Sequence, residues 1–140
     1  MPSKSDAQII AHIDGGSRGN PGPAAYAVVL EAADGARLGS FSKFLGRATN
    51  NFAEYQGLLA ALEYALAHGC RRLRVESDSE LLVRQIQGRY KVRSQDLKPL
   101  YEQARRMIDR FQVFSIGHVP REQNREADRL VNKGLDAAEK

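Results

Sequence analysis

The sequence predicts an α/β domain built on one five-stranded mixed sheet flanked by helices. Three observations carry that expectation. Segments with strand and helix periodicity follow one another in the order β-β-β-α-β-α-α-β-α. Short turn-forming links join the first three strands, so these pair antiparallel. A helical segment precedes each of the last two strands, which suits crossovers that leave strands 4 and 5 parallel to strand 1. At 140 residues the chain is expected to form a single domain over 1–140, with frayed ends at 1–7 and 138–140.

Each element has a local reason. Residues 8–14 (QIIAHID) are apolar and extended and end in an acid. GGSRGNPGP reads as a loop, because its glycines and prolines sustain neither helix nor strand. Residues 25–31 form the second strand. Asp34-Gly35 marks a hairpin turn, and 37–44 form the third strand. Phe52, Tyr55, Leu59, Leu62 and Leu66 recur at helical spacing, which predicts a helix over 51–68 with Thr49 or Asn50 as cap and Gly69 as stop. Residues 72–77 alternate as a strand. A short helix is expected from Asp78, capped by Ser77 and closed by Gly88. A longer helix spans 95–110, with Leu97, Leu100, Tyr101, Ala104, Met107 and Ile108 on its apolar face. Residues 112–119 form the fifth strand. The final helix covers 123–137, with Ala127, Leu130, Val131 and Leu135 inward.

Composition narrows the class. Hydrophobic residues make up 42% and charged residues 27%, ordinary for a globular chain. Cys70 stands alone, so no intrachain disulfide forms, and no apolar run approaches a signal peptide or a membrane span. A reduced, cytoplasmic protein with no membrane partner is expected. The net charge of +4 suits a polyanionic partner. Arg84, Arg89, Lys91, Arg93 and Lys98, with Arg71, Arg72 and Arg74 before them, form either a phosphate-facing patch or a solvated helix face.

Four acids stand at element ends. Asp14 closes strand 1, Glu54 lies in the first turn of the first long helix, Asp78 follows strand 4, and Asp128 opens the final helix. If strands 1 and 4 are parallel neighbours, Asp14 and Asp78 share the carboxyl edge, where open α/β sheets place ligands. Carboxylates brought together raise one another's pKa. A hard divalent cation resolves the conflict, and oxygen-only donors favour Mg²⁺ or Mn²⁺ over zinc. Acids in first helical turns also complement the helix dipole, an explanation open to Glu54, Asp78 and Asp128. It does not cover Asp14, which runs straight into the glycine-rich loop. That loop lacks both the GK[ST] ending and the GxGxxG spacing of nucleotide-binding loops. As a turn it can still offer backbone N–H groups and Asn20 to a phosphate.

Four segments, in order and at matching separations, resemble the motifs of the type 1 ribonuclease H family: IDGGSRGNPGPAAYAVVL, TNNFAEYQGLLAAL, VESDSELLVRQI and HVPREQNREADRLVNKG. The likeness runs from Ile9 to Ala137. It implies a ribonuclease H-like fold and endonucleolytic hydrolysis of the RNA strand of RNA–DNA hybrids, leaving 5′-phosphate and 3′-hydroxyl ends. It implies that Asp14, Glu54, Asp78 and Asp128 hold two Mg²⁺ ions, with Mn²⁺ as a substitute, and that no small-molecule cofactor is needed. By the same resemblance Gly15, Asn20, Thr49, Asn50, Asn51, Ser79 and Asn124 bind the substrate, in keeping with short polar side chains that touch backbone and groove edges without demanding a sequence. RNA would be recognised through its 2′-hydroxyls. The protein is expected to act as a monomer.

The chain departs from the family pattern in places. Well-known members carry a histidine in a flexible loop before the last aspartate. His118 has the matching separation from Asp128 but falls in the fifth strand by phase, which gives Arg121 a slight edge as the side chain nearest the scissile phosphate. His12 shares the side of Asp14 and is expected to pack under the sheet, and His68 to end a helix. No Trp- and Lys-rich insertion separates Gly88 from Leu97, as in a handle-less branch of the family, so hybrid affinity would rest on Arg89, Lys91, Arg93 and the groove residues. Glu80 replaces an amide that relatives use at a base edge. The branch also implies possible secondary cleavage of double-stranded RNA. The rival readings are another nuclease of the same superfamily and a non-catalytic hybrid-binding module. The first would not share the GNPG and TNNxAE segments. The second would be expected to have lost a metal ligand.

Overall fold

The computed structural model describes residues 7–139. Residues 1–6 and 140, most of the stretches expected to fray, lie outside the described residues. Strands β1 (Gln8–Ser17), β2 (Gly22–Ala32) and β3 (Arg37–Ala48) lead into helix α1 (Asn50–Ala67). Strand β4 (Arg72–Ser77), helices α2 (Glu80–Ile86) and α3 (Lys98–Ile108), strand β5 (Val113–His118), a 3₁₀ turn (Arg121–Gln123) and helix α4 (Arg125–Ala138) follow. The sheet order is β3-β2-β1-β4-β5. β1–β2 and β2–β3 are antiparallel, and β4 runs parallel to β1 and to β5. This is the mixed sheet expected from the element order.

The sheet has two unequal cores. On one face Ile13, Val28, Leu30, Leu73 and Val75 meet Tyr55, Leu58, Leu62 and Ala65 of α1, with Leu82, Ile86 and Ile108 closing the layer. Alanine-rich β2 turns Ala25, Ala27 and Val29 to the other face, where Ala127, Val131 and Leu135 of α4 cover them. Leu58 and Leu62 are fully buried. Truncating either to alanine removes transfer energy and opens a cavity, at about 2–5 kcal/mol.

β3 runs past 44 to Ala48, where Gly22 of β2 pairs with it, and other boundaries also differ from the sequence reading, each for a physical reason. β1 does not stop at Asp14: pairing continues through Gly15↔Tyr26 to Ser17↔Ala24, which shrinks the loop to residues 18–21. The ladder outweighs the entropic weakness of the two glycines. α2 begins at Glu80 under a Ser79 cap, not at Asp78 under Ser77. Ser77 stays in β4, opposite Ile13, and its hydroxyl takes the Ser79 N–H instead. α3 is shorter than 95–110 and opens with Pro99 in its first turn. α4 opens at Arg125, because the 3₁₀ turn occupies 121–123.

Candidate active site

Register brings the acids together. Ile13 and Ser77 are the last pair of the parallel β1–β4 ladder, so Asp14 and Asp78 follow it side by side at the carboxyl end of β4, Asp14 still within β1. The second strand pair places His118 opposite Ser77 at the same edge. Glu54 arrives from α1 because that helix sits almost on the backbone of β1. A Cβ at Gly15 would lie 2.5 Å from both the Ala53 carbonyl carbon and the Glu54 amide nitrogen, so only glycine admits this approach. Asp128 arrives from α4, whose entry is fixed by Asn124: the buried Asn124 amide donates to the Ile13 carbonyl at 2.8 Å.

The result is an open cleft of about 370 Å³ lined by Asp14, Glu54, Asp78 and Asp128, with Arg18 and Arg121 on its walls. The Asp14 carboxyl lies within hydrogen-bond reach of Asp128 and Asp78. Burial first, then the charges of Asp78 and Asp128, pushes Asp14 up to about 8. Burial raises Glu54 to about 7 against the opposing Ser79 hydroxyl, with Asp78 adding to the rise. Asp78 is also raised, mainly by burial, while Arg121 pulls it down. Glu54 Oε2 is buried with no hydrogen-bond partner. Mutually repelling carboxylates, an orphaned carboxylate oxygen and an all-oxygen donor set fit hard divalent cations. Among the described residues no three acid, histidine or cysteine side chains are drawn close enough together to hold a metal ion as they stand. The acids line an open wall, which leaves room for water and substrate.

The other expected site residues divide. Thr49 caps α1 by accepting from the Phe52 N–H at 3.2 Å. Asn50 ties the loop to α1: its Oδ1 accepts from Ser17 N at 2.7 Å, and its own N–H donates to Asn20 Oδ1 at 3.1 Å. Asn51 is exposed in the first turn. Ser79 caps α2 and stands beside Glu54. Asn124 is 2% exposed and faces the interior, so the structure places it as a tie between β1 and α4 and not as a surface for substrate. Arg121 lies in the cleft wall, its Nη2 3.6 Å from Asp128 Oδ1. His118 ends β5, exposed, and does not line the cleft.

His12 is held away from the cleft between Glu31, 2.7 Å from Nε2, and Glu76, 3.5 Å from Nδ1. Glu80 is engaged by Arg84 at 2.7 Å, and Arg84 also sits over the Tyr90 ring. Arg89, Tyr90, Lys91 and Arg93 line a separate groove with Leu81. The sequence reading missed Arg18 and Asn132 in the cleft. Arg18 was in view inside GGSRGNPG, but the signal for a turn hid it.

The family profile described as "Reverse transcriptase-like" matches residues 12–134. "Bifunctional protein Rv2228c" of Mycobacterium tuberculosis is 46% identical over 132 residues, which cover 94% of this chain and 36% of that protein. The chain thus spans about a third of the length of this relative. "Ribonuclease HI" of Halobacterium salinarum is 43% identical, over 94% of this chain and 66% of that protein. Among solved structures, LC11-RNase H1 in complex with an RNA/DNA hybrid is similar with a TM-score of 0.90 and 41% identity, over 94% of this chain and 99% of that one.

Proposed function

We propose that this chain, which belongs to the type 1 ribonuclease H family, hydrolyses the RNA strand of RNA–DNA hybrids internally and leaves 5′-phosphate and 3′-hydroxyl ends. The observation that carries the proposal is the convergence of Asp14, Glu54, Asp78 and Asp128 from four elements on one cleft. The hybrid bound by LC11-RNase H1 supports the substrate class.

Asp14, Glu54, Asp78 and Asp128 would hold two divalent cations, Mg²⁺ or Mn²⁺. When bound, such ions supply Lewis-acid stabilisation of the attacking and leaving oxygens of an in-line displacement. The chain supplies the rest. Asp14 anchors the set because it touches Asp78 and Asp128 from the rigid central strand. Arg121 places a cation beside Asp128, where a scissile phosphate gathers negative charge. The loop after β1, pinned by Asn50, holds its backbone in fixed relation to Asp14 and is suited to contact phosphates and 2′-hydroxyls. The basic groove around Arg89, Lys91 and Arg93 suits the second strand through its backbone charge. The reading includes action as a monomer in the cytoplasm, with no small-molecule cofactor. Among the described residues no helix is long and apolar enough to cross a membrane.

The test is cleavage of four labelled duplexes, RNA–DNA, RNA–RNA, DNA–DNA and DNA with one ribonucleotide, in Mg²⁺ or Mn²⁺. Internal cuts in the RNA of the hybrid, abolished by EDTA and by Asp14→Asn, are expected. Cutting of RNA–RNA as well would mean loose 2′-hydroxyl discrimination. A hybrid bound but left intact in both metals would replace this proposal with a non-catalytic hybrid-binding module.

A further inference from the structure

Two cationic side chains line the acidic cleft among the described residues, Arg121 and Arg18. Arg121 leans on Asp128, inside the carboxylate set. Arg18 has different company. Its guanidinium forks onto two carboxylates of the α4 C-terminal end: Nη2 lies 2.7 Å from Asp136 Oδ1, and Nη1 lies 2.9 Å from Glu139 Oε1. Nη2 also reaches Asn132 Oδ1 at 3.4 Å and the Asn132 carbonyl oxygen at 3.5 Å.

The two acids stand where helix electrostatics disfavour them. The last turn of a helix presents carbonyl oxygens and a partial negative charge, which suits cations. α4 has no basic residue in its last turn. Arg18, reaching across from the β1–β2 loop, supplies the missing positive charge. The backbone beneath it is fixed: the Arg18 N–H donates to the Pro23 carbonyl at 2.9 Å, and Ser17 and Asn20 are both tied to Asn50. A change of partner therefore needs only rotation of the side chain. The acids are exposed, Asp136 at 64% and Glu139 at 51%, so water and salt screen the pairs and exchange is easy. A phosphate offers the same pair of oxygens to a guanidinium fork as these carboxylates do.

We propose that Arg18 is a phosphate ligand for the nucleic-acid strand seated in the cleft, and that Asp136 and Glu139 occupy it until a strand displaces them. The proposal rests on the reading of the cleft as a nucleic-acid site. It assigns a phosphate-binding role to a loop residue and a competing role to the end of the last helix. The acids act as internal substrate mimics: a strand that engages Arg18 must first displace them, which lowers its affinity. They also keep the guanidinium at the cleft wall and away from the catalytic carboxylates.

A thermodynamic cycle tests this. Arg18→Gln, the double variant Asp136→Asn/Glu139→Gln, and the triple variant are compared with the parent. Binding of a fluorescein-labelled RNA–DNA hybrid is read by polarisation, cleavage of the same duplex is followed in parallel, and thermal unfolding confirms that each variant is folded. Arg18→Gln is expected to weaken binding about tenfold at low salt, and the deficit to shrink about threefold between about 50 and about 200 mM salt, as loss of one phosphate contact requires. The double variant should bind about two- to fivefold tighter than the parent. The triple variant should match Arg18→Gln, because without Arg18 the acids have nothing to mask.

An equal gain on neutralising the acids with and without Arg18 would mean long-range charge alone and overturn the masking. Arg18→Gln that binds like the parent with an unchanged salt slope would overturn the phosphate contact. Failure of every protein, parent included, to cleave the hybrid would remove the catalytic reading, while the binding cycle would still decide the role of Arg18.

Discussion

Gly15→Ala probes how backbone packing places the Glu54 carboxylate in the cleft. The added Cβ would lie 2.5 Å from Ala53 C, 2.5 Å from Glu54 N and 2.6 Å from Ala53 O. All three are backbone atoms near the start of α1, where Glu54 falls just past the first turn, so no rotamer change relieves the clash. Carbon contacts settle at about 3.5–4.0 Å, so the helix must retreat from β1 by roughly 1 Å. Overpacking of this kind costs about 1–3 kcal/mol. The upper end is expected, because Asn50 also binds the same turn to Ser17 and Asn20. Glu54 moves with the helix while Asp14 stays on its strand. A displacement of about 1 Å in a positioned group can cost roughly 100-fold in rate. Thermal unfolding and single-turnover cleavage of a hybrid at saturating metal read the two effects. Melting should fall by several degrees and the rate by about 100-fold, with hybrid affinity much less changed. Gly16→Ala is the stability control, since its Cβ would meet only Asn50 Oδ1 at 3.8 Å. A Gly15→Ala protein that melts and cuts like the parent would refute the reasoning.

Other expectations follow from the same geometry. Asp14 and Glu54 sit above their ordinary values, so without metal the folded state holds protons that the unfolded chain releases. The contribution of these two groups to stability is full below about pH 4 and is lost as the pH rises towards about 8, at about 1.4 kcal/mol per unit of displaced pKa. Melting curves in EDTA should fall over that window, Mg²⁺ should restore them, and Asp14→Asn should flatten the dependence; a flat profile for the metal-free parent counts against the site electrostatics. Arg121→Ala should lower the single-turnover rate about tenfold and His118→Ala should change it little, because Arg121 lines the cleft and His118 does not; the reverse ranking would restore His118 as the assisting group. Asn124→Ala removes the amide that donates to the Ile13 carbonyl at the α4 entry and should cost about 1–3 kcal/mol in chemical denaturation; an unchanged midpoint would show that the tie contributes nothing.

The fold was legible because its signals were local and repeated. Tyr55, Leu59 and Leu62 mark the face of α1, and Ala127, Val131 and Leu135 mark that of α4; all six are buried where periodicity put them. Chain order suits parallel pairing of β1 with β4, and that pairing puts Asp14 beside Asp78. Less legible were features that depend on what another element does. Gly15 and Gly16 look like loop residues until β2 is seen to pair with them. Ser77 looks like a cap until β4 is seen to keep it. Asn124 looks like a polar surface residue near the motif, and only the packing of α4 on β1 shows it buried. Arg18 could not be read at all without the α4 end, more than a hundred residues away in sequence, folding back onto it.

The most direct measurement is single-turnover cleavage of an internally labelled RNA–DNA hybrid across a Mg²⁺ or Mn²⁺ titration, for the parent and for Asp14→Asn, Glu54→Gln, Asp78→Asn and Asp128→Asn, with hybrid binding measured alongside. Metal-dependent cuts in the RNA strand by the parent are expected, with a loss of roughly 1,000-fold or more in each variant and no loss of binding. A parent that cuts without divalent metal, or a variant that keeps the parental rate, would contradict the proposed mechanism.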